Sequence, residues 1–313
     1  MRTHYVSEVS PEEEGKSITL AGWAHETRTF GKINFVLLRD RTGLMQIILK
    51  EGETPAALIE IAKKLIKETA IVVTGKVRAT KMANLGRELV PESIEIVGEV
   101  LKQVPFEVTG KVPADLDVRL DKRFIDLRRI ETQAVFKVRA EIQRAFREKL
   151  EELKFQEINT PSLVEAATEG GTDLFEVKYF EKKAFLAQSP QLYKQLAVMG
   201  GMDKVYMICP IWRAEKHNTT QHLNEVTQMD IEMGFADDKD ALEVLEKVFL
   251  HILSSVEKNC AEQLKTLKAP LTVPGRLKQH TYSDLVELLN KNKHKREGGE
   301  DFSKENEEQL FKL

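Results

Sequence analysis

Two cysteines in 313 residues, Cys209 and Cys260, are too few for a disulfide scaffold or a cysteine-rich metal site. Both read as plain thiols of a reducing cytosol. No apolar run approaches the roughly 18–20 residues that span a bilayer, and Met1-Arg2-Thr3-His4-Tyr5 opens no signal-peptide core. The expectation is a cytoplasmic protein with no membrane partner. Forty-seven basic residues against 50 acidic ones give a net charge of −3, so there is no bulk excess of cations. Contact with a polyanion must therefore come from a local surface. Neither His217 nor His222 has a partner at metal-ligand spacing, so no zinc site is expected, and no internal repeat is present. What is there is 42% hydrophobic and 31% charged, a soluble globular composition long enough for two domains.

The first hundred residues alternate in strand fashion. Ser17–Trp23, Phe35–Asp40, Leu44–Leu49, Ile71–Val77 and Leu89–Val97 read as strands, with a turn signal at Asp40-Arg41-Thr42-Gly43. Pro55 opens a helical pattern through Ala57, Leu58, Ile61, Leu65 and Ile66, between the third and fourth strands. This is the order of an OB-fold, a Greek-key barrel that binds oligonucleotides on one face. Other small barrels share the pattern. Residues 1–103 are assigned to this domain and 104–131 to a hinge marked by Pro105, Gly110 and Pro113. The hinge ends in a cationic run, Arg119 to Arg129, which suits either a solvated linker or a segment lying near a phosphate backbone.

From residue 132 onward the pattern changes. Val135, Val138, Ile142, Ala145, Phe146, Leu150 and Leu153 follow helical spacing, with Lys149 the polar exception, and Phe155–Pro161 reads as a strand stopped by proline. An apolar strand, Val205–Ile208, runs into Arg213-Ala214-Glu215, and Met229–Met233 reads as a second strand. If the strand continues to Glu215, Arg213 and Glu215 share a face. A planar guanidinium beside a carboxylate suits a phosphate and an amine, although a strand-borne salt bridge would look the same. Residues 239–265 read as another amphipathic helix. The tail from Lys291 to Leu313, with Lys293-His294-Lys295-Arg296, reads as charged surface helix and loop.

The string Cys209-Pro210-Ile211-Trp212-Arg213-Ala214-Glu215-Lys216-His217-Asn218-Thr219-Thr220-Gln221-His222-Leu223-Asn224-Glu225 resembles motif 2 of the class II aminoacyl-tRNA synthetases, most closely the aspartyl enzymes of archaeal and eukaryotic type. The helix, strand and proline ahead of it resemble motif 1, which forms the dimer interface in that family. Thr168-Glu169-Gly170-Gly171-Thr172, an ordinary turn by composition, resembles the family's loop over the amino acid. Gln188-Ser189-Pro190-Gln191-Leu192-Tyr193-Lys194-Gln195 matches the aspartyl pattern. The resemblance implies an α+β protein: an OB-fold barrel followed by an antiparallel-sheet catalytic domain, residues 132–313. It implies ATP-dependent ligation of L-aspartate to tRNA, with ATP and Mg²⁺ required and a homodimer as the assembly.

By the same resemblance, Glu169, Ser189, Gln191, Lys194, Arg213 and Asp230 bind aspartate. Arg213, Glu215, Gln221, His222 and Leu223 bind ATP, with Arg213 catalytic. Lys194 supplies a cation for the substrate side chain, where the asparaginyl enzymes have an acidic residue. In the barrel, His25, Phe35, Gln46, Asn84 and Glu88 fall on the anticodon surface, Phe35 being equally suited to barrel packing. His25 and Asn84 stand where enzymes restricted to aspartate tRNA resemble Trp and Lys, so the expected range extends to asparagine tRNA. No Gly-x-Gly-x-x-Arg run follows residue 240. The expectation is a catalytic domain incomplete at its C-terminus, with magnesium ligands beyond residue 313. A non-catalytic tRNA-binding protein is the alternative.

Overall fold

The computed structural model describes residues 2–83, 85–102, 104–166, 174–215, 223–292 and 299–313. The chain forms two compact units, residues 1–133 and 134–313.

In the first unit, β1 (Ser17–Phe30), β2 (Ile33–Arg39), β3 (Leu44–Lys50), β4 (Ala70–Ala79) and β5 (Arg87–Gly98) close into a barrel in the order β1-β2-β3-β5-β4, with β4 returning to β1. Period-two alternation sends Ile18, Leu20, Val36, Leu38, Ile47 and Val73 inward, all at most 2% exposed. Helix α1 (Ala56–Lys64) adds Ile59 and Ala62 to that core. It stops short of the expected Ile66 because Leu65 turns extended. Strand β1 runs seven residues beyond its expected end at Trp23. A bulge between Ala24 and Glu26 breaks the alternation, and the continuation, Glu26-Thr27-Arg28-Thr29, is polar, so no hydrophobic pattern announces it. Gly75 marks a close strand approach: a Cβ there would lie 2.3 Å from the Val90 carbonyl oxygen.

The segment expected as a hinge, 104–131, belongs to this first unit and is packed. Phe106, Val108 and Ile125 form a small core of their own. Helices α2 (Leu116–Asp121) and α3 (Arg123–Asp126) surround Asp126, which is fully buried. Arg119 donates to it at 2.6 Å, Arg123 pairs with it as well, and Thr132 donates at 3.3 Å. Arg128 donates to Glu68 at 3.0 Å. Three cations of the run are thus held by buried carboxylates, and the run is not a solvated linker.

Helix α4 (Ile130–Glu152) begins in the last residues of the first unit and continues as the first element of the second, followed by β6 (Gln156–Glu157), β7 (Leu163–Val164), β8 (Glu176–Tyr179), β9 (Lys182–Leu186) and α5 (Gln191–Ala197), which a wider turn extends to Met202. Next come β10 (Lys204–Trp212), β11 (Glu225–Met233), α6 (Asp238–Asn259), α7 (Ala261–Leu267), α8 (Tyr282–Lys291) and α9 (Lys304–Lys312). The expected helix 239–265 is two helices, broken at Cys260. Strands β10 and β11 are antiparallel, and β6 joins β10 in parallel. The strands β7-β9-β8 form a separate antiparallel sheet. Tyr206, Ile208, Ile231 and Met233 pack one face of β10–β11 against Phe146 and Leu150 of α4 and Val248 of α6. Asp237 caps α6, accepting from the Lys239 and Asp240 amides.

Candidate active site and nucleic-acid interface

The register of β10 and β11 separates two sets of side chains. With Tyr206 opposite Ile231 and Ile208 opposite Met229 on the core side, the alternate residues Val205, Met207 and Cys209 share the other face with Glu232, Asp230 and Gln228. Lys194 of α5 reaches this second face. It is 6% exposed, and its Nζ donates to Asp230 Oδ1 at 2.9 Å and lies 3.3 Å from a Glu232 oxygen. A third contact, to the Ile231 carbonyl, is 3.4 Å. The second oxygen of Asp230, Oδ2, is buried without a hydrogen-bond donor among the described residues. The site thus joins a buried ammonium to a carboxylate that still has an accepting oxygen. The expected pair Lys194 and Asp230 meet; Glu232 was not foreseen. Its signal was present, since Asp230 and Glu232 are two apart on a strand.

Ser189 is 2% exposed, and its Oγ accepts from the Gln191 amide at 3.0 Å, fixing the first turn of α5. Gln191 and Lys194 stand three apart on that helix, on one side of it. Cys209, beside them, has its thiol pushed up by burial and further by the Asp230 carboxylate, so it stays protonated at neutral pH. Both cysteines are free thiols.

Arg213 lies just past β10. Its amide donates to the Asn224 carbonyl at 3.0 Å, which carries the ladder one residue beyond Trp212–Glu225. The strand does not continue to Glu215. The Glu215 amide donates back to the Arg213 carbonyl at 2.8 Å, a three-residue turn, so the same-face argument for Arg213 and Glu215 does not hold. With its amide turned to place nitrogen toward the carbonyls, Asn224 donates to Arg213 O at 3.2 Å and Glu215 O at 3.0 Å. This clamp is a further site element that spacing did not reveal. Leu223 is 57% exposed. Glu169, Gln221, His222 and Asn84 lie outside the described residues.

On the barrel, Phe35 stands directly opposite Arg28 on the outer face of β1–β2. It is half-buried and meets Phe30 edge-to-face at 6.3 Å, Phe30 being 65% exposed. Gln46 and Glu88 meet: Gln46 Nε2 donates to Glu88 at 2.8 Å. Arg78, unforeseen, donates twice to the other Glu88 oxygen at 2.8 and 2.6 Å. Aromatic faces flanked by cations and amides are the composition that stacking surfaces for single-stranded nucleic acid use.

His25 is placed differently. It is the bulged residue of β1 and only 7% exposed. Its Nδ1 accepts from Arg39 at 2.6 Å, and Arg39 is paired with Glu68 at 2.7 Å. Arg39 and Arg128 both lie over the Trp23 ring. Burial, and then the Arg39 charge, push the His25 pKa below its ordinary value. This residue sits in an internal polar network and not on the open face that carries Phe35.

Among the described residues, no helix is long and apolar enough to cross a membrane. No group of three or more His, Cys, Asp or Glu side chains among them is placed to hold a metal ion.

Residues 115–313 match the family described as tRNA synthetases class II (D, K and N), and residues 18–97 match the OB-fold nucleic acid binding domain. The chain is 44% identical over 304 residues to the aspartate–tRNA(Asp/Asn) ligase of Methanococcus vannielii, covering 97% of this chain and 69% of that protein. Among solved structures, the asparaginyl-tRNA synthetase of Pyrococcus horikoshii with asparaginyl-adenylate superposes with a TM-score of 0.92 at 30% identity, over 99% of this chain and 71% of that one. The aspartyl-tRNA synthetase of Entamoeba histolytica gives 0.84 at 26%, over 98% and 66%. The expected OB-fold and antiparallel catalytic architecture are therefore both present, and on the match across residues 115–313 the chain belongs to the class II tRNA synthetases.

Proposed function

We propose that this chain ligates L-aspartate to tRNA in two steps. The α-carboxylate of aspartate attacks the α-phosphorus of ATP, giving aspartyl-adenylate and pyrophosphate. A hydroxyl of the terminal ribose of tRNA then attacks the adenylate carbonyl and releases AMP. The observation that carries this reading is the buried Lys194 ammonium beside an Asp230 carboxylate with one oxygen still accepting. A cation for a carboxylate side chain and an acceptor for an α-ammonium together describe an acidic amino acid. A carboxylate side chain can take the ammonium over from Glu232, 3.3 Å away, whereas a neutral amide competes poorly with that pairing. This favours aspartate over asparagine, although structural neighbours of both kinds exist.

Arg213 holds the α-phosphate and the attacking carboxylate and stabilises charge as it builds on phosphorus. Glu215 accepts from the adenine amine, and Asn224 sets the turn between them. Ser189 positions Gln191 beside Lys194. Leu223, Glu169, Gln221 and His222 keep the roles the resemblance implies. The barrel, residues 1–103, reads the anticodon through Phe35, Gln46 and Glu88, while residues 132–313 carry the chemistry in a cytoplasmic homodimer. Asparagine tRNA belongs to the substrate range, as the names of the relatives and the residue at position 25 suggest. No step is assigned to magnesium.

Aspartate-dependent ATP–pyrophosphate exchange on the 313-residue chain, with asparagine as control, tests this. Exchange with aspartate alone is expected. No exchange with tRNA binding retained would favour a binding module instead.

A further inference from the structure

Strands β8 and β9 form a hairpin whose tip the synthetase chemistry above does not use. Tyr179 pairs with Lys182 and Lys178 with Lys183. Phe180, at the turn, takes a left-handed φ of 54° and is 79% exposed. Tyr179, 49% exposed, meets it edge-to-face at 5.0 Å. Beside the hairpin lies a surface cavity of about 330 Å³. Its wall is mixed: Leu163, Val164 and Ala184 supply an apolar side, Tyr179 a ring, Lys182 and Lys183 two cations and Glu165 one carboxylate, so the excess of one positive charge lies with the lysines. The volume is at the small end of ligand sites, room for one nucleotide. Lys183 is paired with Glu176 at 3.1 Å, but both side chains are more than half exposed; such a pair is weak and yields to a phosphate.

The hairpin is also tied to the active site. β9 runs from these lysines to Leu186, and the next carbonyl, Ala187, accepts the Trp212 amide at 3.0 Å, one residue before Arg213. At ~3.4 Å per residue, the cavity lies roughly 10–17 Å along the strand from that tie. That distance is within reach of a few unpaired nucleotides.

We propose that this cavity is a second nucleotide site. An unpaired nucleotide close to the 3′ end of tRNA stacks on Tyr179 there, and Lys182 and Lys183 meet its phosphate. This rests on the tRNA-ligase reading. A stacking platform flanked by cations fits single-stranded RNA. A second copy of the chain is the other occupant, and self-association through this tip would mark it.

The test is equilibrium binding of the full chain to three RNAs: aspartate tRNA, the same tRNA lacking its unpaired 3′ nucleotides, and the isolated anticodon stem-loop. Tyr179→Ala should weaken binding of intact tRNA about tenfold. It should leave the other two RNAs unchanged, and Tyr179→Phe should restore parental affinity. Lys182→Ala with Lys183→Ala should reduce the salt dependence of intact-tRNA binding. Thermal melts of each variant check folding. Unchanged affinity in Tyr179→Ala overturns the proposal, as does an equal loss on the shortened tRNA or a shift in sedimentation that marks a self-association surface. If the parent chain binds none of the RNAs, the tRNA-ligase reading fails and this site fails with it. Parental binding that Tyr179→Ala leaves intact sinks the cavity alone.

Discussion

Replacing Lys194 by methionine removes the charge and keeps a flexible apolar stem. The lysine is 6% exposed, with its ammonium 2.9 Å from Asp230 and 3.3 Å from Glu232. Deleting one partner of a buried ion group costs about 3–5 kcal/mol, because the remaining charge loses its offset. Here two carboxylates remain on one sheet face, with side chains 15% and 24% exposed. Partial access to water places the cost at the lower end, about 3 kcal/mol. In a unit spanning residues 134–313, that lowers Tm by ~6–12 °C. Loss of a charge-assisted bond to the substrate side chain should also cut kcat/KM for aspartate by roughly 10–150-fold. Thermal unfolding by circular dichroism and pyrophosphate exchange measure the two effects separately. Combining Lys194→Met with Asp230→Asn and Glu232→Gln should recover most of the melting temperature and none of the exchange. A Lys194→Met chain that melts with the parent and exchanges pyrophosphate with aspartate at the parental rate would refute the reasoning.

Three further outcomes are expected. His25 is held neutral, with a pKa below its ordinary 6.5, so the unfolded chain binds the extra proton first. Its contribution to stability is complete above pH 6.5 and is lost as pH falls through that value towards the depressed one; a His25→Gln chain should show a flatter pH dependence of urea unfolding. Gly75→Ala places a Cβ 2.3 Å from Val90 O and 2.8 Å from Pro91 Cα, both backbone atoms. The barrel should lose about 2–3 kcal/mol or more, read as a lower urea midpoint. Phe35→Ala should weaken tRNA binding roughly 5–150-fold by loss of base stacking and leave aspartate-dependent exchange unchanged.

Much of this was legible because the informative residues obey local periods. Five alternating runs and one intervening helix described the barrel, and the octet around Lys194 with the string after Cys209 described the synthetase half. The misreadings came where long-range register decides. The bulge at His25 shifts β1 by one residue and hides its second half. The cations of 119–129 look solvated until Asp126, inside the run itself, is buried among them and Glu68 is brought from the barrel. Glu215 fell out of the strand because its amide turns back to the Arg213 carbonyl, a turn that Asn224, just ahead of β11, closes. Glu232 and Arg78 sat at the right parity but gave no sign of which charge they would meet until β11 and β5 found their partners.

The network around Arg39 makes position 25 hard to alter alone. A guanidinium offers only donors, and this one, 2% exposed, gives to His25 and to Glu68 while Glu68 also receives Arg128. Exchanging His25 for tryptophan, the residue that enzymes with a narrower tRNA range resemble at that place, removes an acceptor that Arg39 uses. Substitutions at 25, 39, 68 and 128 should therefore be non-additive. A change of tRNA range through this residue is then an epistatic event. Its path passes through compensating changes in the barrel interior.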